Sequence, residues 1–122
     1  MFKKTSICCT LIVLAYAGHC SAADAPKYDM SKFKTIVQDT IKLVKSGDYA
    51  GAQKKILDVE GQWDDGTKDL KAADRKVWST IDKQMDVAID ACKAATDAAT
   101  AEKAQKVLAD FLAKLDLAEQ VK

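Results

Sequence analysis

Apolar residues return at three- and four-residue spacing along most of this chain, without the two-residue alternation of a strand. Four helical segments follow. The first begins at Asp29 or Ser31, either of which can cap it, and runs to Ser46 with Phe33, Ile36, Val37, Thr40, Ile41 and Val44 as its stripe. Gly47 stands where a left-handed C-terminal cap is expected, and Asp48 caps a second helix carrying Tyr49, Ala52, Ile56, Val59 and Trp63 on one face. So short a joint predicts an antiparallel αα-hairpin. Asp64-Asp65-Gly66-Thr67 reads as the strongest break in the chain, with a loop or a single helical turn around Leu70. Asp74 caps the next helix, striped by Trp78, Ile81, Met85, Ala88, Ile89, Cys92 and Ala95. Thr96 to Thr100 reads either as a joint or as continued helix, since alanine supports continuation. The last segment carries Ala104, Val107, Leu108, Phe111, Leu115 and Ala118. The pattern predicts an all-α, antiparallel four-helix bundle over residues 29–122.

On the last segment Glu102, Lys106, Asp110 and Lys114 recur every four residues with alternating sign, opposite the stripe. Such pairs add only about 0.2–0.5 kcal/mol each, so they orient a helix without holding the fold. No internal repeat emerges from the two hairpins.

The start of the chain has a different character. Met1-Phe2-Lys3-Lys4 is a short positive region, Ile7 to Ala17 is apolar without a charge, and Cys20-Ser21-Ala22-Ala23 offers small residues to a signal peptidase. The apolar run is shorter than the roughly 20 residues of a membrane span. A cleaved signal peptide over residues 1–22 is expected, with cuts after Ala23 or Ala25 as alternatives and a permanent anchor as the competing reading. Lipid attachment at Cys20 is disfavoured because the bulky His19 precedes it. Residues 23–28, with the sole proline Pro26, read as a flexible lead. The expected compartment is the periplasm or the exterior.

Removal of the leader reshapes the chemistry. With Lys3 and Lys4 gone, 17 basic residues face 18 acidic ones, for a net charge of −1. Near-neutrality gives no reason to expect nucleic acid. An apolar content of 48% with 30% charged residues fits a globular domain. Cys8, Cys9, Cys20 and His19 leave with the leader, so Cys92 is the remaining thiol and no imidazole remains. Histidine-based acid–base and nucleophilic mechanisms then lack their base. Zinc sites lack ligands, and haem lacks both a Cys-x-x-Cys-His run and an axial histidine. The single arginine, Arg75, cannot build a cationic pocket for anionic substrates, and the five glycines form no phosphate loop. No enzyme, metal or cofactor is expected.

Several features carry two readings. Asp82, Asp86 and Asp90, at i, i+4 and i+8, form an acidic ridge that is either a solvated face or a seat for a cation. Calcium wants six to eight oxygens, which carboxylates in line on one helix do not wrap around an ion. The Asp64–Asp69 run lacks the spacing and terminal glutamate of a calcium loop, and reads better as a turn with capping aspartates. Trp63 and Trp78 flank the central break and are expected to meet near one end of the bundle, as core plugs or as the lining of a partner groove. Cys92 shares the stripe of Met85 and Ile89, which predicts a buried thiol; a disulfide-linked dimer requires it exposed. Val87 and Leu117 are apolar residues on otherwise polar faces, too little for the broad apolar patch of a chaperone.

Gly47-Asp48-Tyr49-Ala50-Gly51-Ala52, Trp63-Asp64-Asp65, Leu70 and Trp78-Ser79-Thr80-Ile81-Asp82 together resemble small helical segments on the exterior side of bacterial high-affinity iron permeases and their periplasmic relatives. The likeness covers Phe33 to Cys92. It implies a helical-hairpin architecture and an accessory role, and transfers no iron site, since the permeases' glutamate-rich motif has no counterpart here. The expected function is non-catalytic protein–protein contact with another envelope protein, as adaptor, inhibitor or accessory factor, by a monomer or weak homodimer with no membrane span after cleavage. The alternative is a small-ligand or cation carrier linked to iron uptake, with Trp63, Trp78, Asp82, Asp86 and Asp90 as its surface.

Overall fold

A computed structural model describes residues 25–122; the leader and its cut lie outside the described residues. The fold is all-helical, with α1 Ser31–Lys45, α2 Tyr49–Gly66, α3 Lys68–Ala73, α4 Arg75–Ala94 and α5 Ala98–Glu119. α1 packs against α2 and α5, while α4 packs against α5, α2 and the short α3. No helix among the described residues is long and apolar enough to cross a membrane.

Local chemistry sets each boundary. The cap position of α1 is Met30, which makes no side-chain capping bond, and neither Asp29 nor Ser31 holds it; Asp29, one residue earlier, accepts from the backbone N–H and hydroxyl of Ser31 at 2.8 and 2.5 Å. At the end of α1 the Gly47 and Asp48 N–H groups donate to Val44 and Leu43 carbonyls at 3.1 and 3.0 Å. This paired closure needs a left-handed residue, and Gly47 supplies φ 81°. Asp48 then accepts from Gly51 N–H, and Asp74 accepts from Val77 N–H at 3.0 Å to start α4.

Two joints differ from expectation. Asp64, Asp65 and Gly66 do not break the chain, because α2 runs through them and the joint shrinks to Thr67. The Thr67 hydroxyl donates back to the Trp63 carbonyl, occupying an acceptor that a break would leave bare. Gly66 serves packing, since a Cβ there would stand 3.1 Å from Phe33 Cζ. Around Leu70 the chain forms the six-residue α3, with Leu70 fully buried. Between α4 and α5 the joint is only Ala95 to Asp97. There Asp97 and Thr100 cap each other reciprocally, at 2.8 Å from Thr100 N–H to Asp97 and 3.0 Å from Asp97 N–H to Thr100 Oγ1.

The stripes converge on one core that includes Phe33, Val37, Ile56, Val59, Ile81, Met85, Leu108, Phe111 and Leu115. Met30 joins it from ahead of α1, and Tyr28 packs against its edge. Thr40 is buried without cost, because its hydroxyl donates to the Ile36 carbonyl at 2.8 Å. Burial of apolar surface, at about 25 cal/mol per Å², is the main term holding these helices together.

Lys34 adds a polar tie between α1 and α5. Its ammonium lies 2.6 Å from both Asp116 and Glu119, and Glu119 also accepts from Met30 N–H at 3.3 Å. Burial pulls the Lys34 pKa down, but hydrogen bonds and charge from the two carboxylates reverse this and leave it raised.

Candidate functional site

The aromatic end of the fold is built around the Thr67 joint. With one residue between α2 and α3, and Asp74 turning the chain into α4, Trp63 and Trp78 come face to face. Their rings stack at 6.1 Å with planes 24° apart, and Phe33 meets Trp63 edge-on at 5.4 Å. Trp78 Nε1 donates to Thr67 Oγ1 at 2.8 Å, and Lys71 Nζ sits 3.9 Å above the Trp78 ring. Both indoles are buried, Trp63 at 1% exposure and Trp78 at 9%, and so present little surface to a partner.

Trp63 Nε1 is buried and has no hydrogen-bond partner among the described residues. Its neighbour is Asp82, whose carboxyl feels the indole N–H while lying outside bonding geometry. Burial pushes the Asp82 pKa up, and the charges of Asp86 and Asp64 push it further; the Trp63 N–H and Lys71 act in the opposite sense. Asp64 on α2 thus extends the ridge of Asp82, Asp86 and Asp90 across to the neighbouring helix. Asp86 and Asp90 are exposed. Among the described residues no three carboxylate, thiol or imidazole groups converge to hold a metal ion.

Cys92 is fully buried, and burial pushes its thiol pKa up to about 11. A groove of roughly 370 Å³ between α1 and α5 is lined by Ile41, Lys45, Glu102, Gln105, Lys106 and Ala109. A second of about 400 Å³ lies between Ala25–Lys27 and the C-terminal residues. Both open broadly to solvent.

Among the described residues the two large exposed aliphatic side chains are Leu57, at 42%, and Val87, at 49%. Val87 is legible as the odd apolar residue on the polar face of α4. Leu57 is hidden in sequence by its neighbour Ile56, which takes the stripe position while Leu57 is rotated one residue, about 100°, away from it. The Lys34–Glu119 tie spans 85 positions and has no local signal. Comparisons with family models, curated proteins and solved structures return no match.

Proposed function

We propose that the chain is an exported, non-catalytic, antiparallel four-helix bundle that acts by contact with another envelope protein. The observation that carries this reading is where the side chains stand. The thiol and both indoles are inside, while lysines, carboxylates and two aliphatic side chains, Leu57 and Val87, face outward. Such a surface is equipped for recognition by shape and charge. The export half rests on the positive, apolar and small-residue order of residues 1–22.

Photo-crosslinking groups placed singly on the outer faces of all four long helices, in intact producing cells, test the contact. A discrete adduct with one envelope protein, arising from one face, is the expected result. Silence from every face, together with heat on titration with ferric or divalent ions, would overturn the reading in favour of the carrier. N-terminal sequencing of the envelope protein tests export: a start at Ala23 is expected, and a start at Met1 would remove it.

A further inference from the structure

We propose that the α2–α4 face, a strip of unpaired carboxylates around Leu57, docks a basic amphipathic helix of a protein partner. The proposal deepens the contact reading above and rests on it. Two contacts align the helices: Gln53 Nε2 reaches the Lys93 carbonyl at 3.5 Å at one end, and Trp63 stacks on Trp78 at the other. Along this face α2 places Leu57, Glu60 and Asp64, the last just past Trp63, at positions that follow Gln53 by about one, two and three turns. α4 places Asp90, Asp86 and Asp82 at matching steps back from Lys93.

Among the described residues no cation forms a direct ion pair with this strip; Lys71 and Lys68 act on Asp82 and Asp64 only from a distance. The ion pairs of the described residues join Lys34, Lys42, Lys55, Lys68 and Lys106 to other carboxylates, and none uses Glu60, Asp64, Asp82, Asp86 or Asp90. Like charges at four-residue spacing oppose the helix that carries them. Leu57 stands in the same strip, 42% exposed, and Gly61 beside it would place a Cβ within 4 Å of nothing. The surface therefore offers an apolar anchor point over low ground, rimmed by anions.

Behind the rim, the buried Trp63 Nε1 is turned toward Asp82 and lacks a partner. Cations seated on the strip would offset the burial and the Asp64 and Asp86 repulsion that Asp82 bears. They would thus favour the ionised carboxylate, the better acceptor for that orphan N–H. A single metal ion fits poorly, because Asp82 to Asp90 spans about 12 Å along the helix axis. A partner helix with lysines at four-residue spacing and one apolar face matches both the period of the carboxylates and Leu57.

The test uses the full mature chain and two synthetic amphipathic helices of about three turns, identical except that one carries lysines and the other glutamates. Backbone amide chemical shifts report the site. The lysine helix is expected to shift α2 and α4 resonances, and the glutamate helix to shift none. Asp86→Asn with Asp90→Asn, and separately Leu57→Ser, should each weaken binding by roughly tenfold. Equal binding of both helices, shifts centred on the α1–α5 groove, or indifference to Leu57→Ser would overturn the proposal. So would self-association of the chain through this face that the lysine helix does not displace. Crosslinks arising from another face would leave the contact reading standing and remove this one; silence from all faces, together with heat on ion titration, removes both.

Discussion

Trp78 gives its indole proton to the hydroxyl of Thr67, 2.8 Å away, and so binds the start of α4 to the single residue between α2 and α3. The Thr67 hydroxyl hands its own proton to the Trp63 carbonyl, and the side chain is 2% exposed. Thr67→Val keeps the shape and removes the acceptor, which strands a buried N–H. The expected cost is about 1–3 kcal/mol in urea denaturation. Thr67→Ser should retain most of the stability, which separates the hydroxyl from the methyl.

Gly47 and Gly61 should respond to alanine with opposite signs. At Gly47 the backbone holds φ 81°, so Gly47→Ala should destabilise by about 1–2 kcal/mol. Gly61 lies inside α2 with open space where its Cβ would be, so Gly61→Ala should stabilise by about 0.5–1 kcal/mol. Thermal unfolding of both variants reads the pair directly.

Periodicity was sufficient to locate the helical stripes, and Gly47, Asp48 and Asp74 act where their turn and cap chemistry puts them. Asp64-Asp65-Gly66 points to a break because three residues of turn-favouring type stand together, whereas Gly66 makes room for the Phe33 ring. The Asp97–Thr100 box is hard to see in sequence because alanines lie before, within and after it, and these read equally well as uninterrupted helix. At the aromatic end, the meeting of Trp63 and Trp78 was legible from their flanking of one short joint. The Asp64–Asp82 proximity was not, because it depends on the rotation of α2 about its axis relative to α4.

Lys34 ties α1 to α5, and its contribution should follow the protonation of its own ammonium. Its folded pKa is raised above 10.5, so the stabilisation is complete below that value and disappears as pH rises through the folded one. Lys34→Gln should cost up to about 1 kcal/mol at neutral pH and low salt. Urea midpoints of the two proteins should converge above the lysine range, and in high salt.

Asp82 should behave in the reverse sense to a paired carboxylate. Its pKa is raised above 3.8 by burial and by its acidic neighbours, so the fold binds the proton more tightly than the unfolded chain does. Its effect on stability therefore worsens as pH climbs from 3.8 through the raised value, and the full penalty stands at neutral pH. Asp82→Asn should stabilise by a few tenths of a kcal/mol at neutral pH. That advantage should fade on acidification through the same window, measured as the difference in thermal midpoints.

In a chain that begins at Ala23, the sealed position of Cys92 makes its sulfur a gauge of breathing motions. A thiol-specific reagent can reach it only when α4 parts from its neighbours. At low denaturant and saturating reagent, the speed of colour development then counts those excursions one by one. Any peptide that clasps the fold from outside should slow that count, which reports engagement through an atom the visitor never touches.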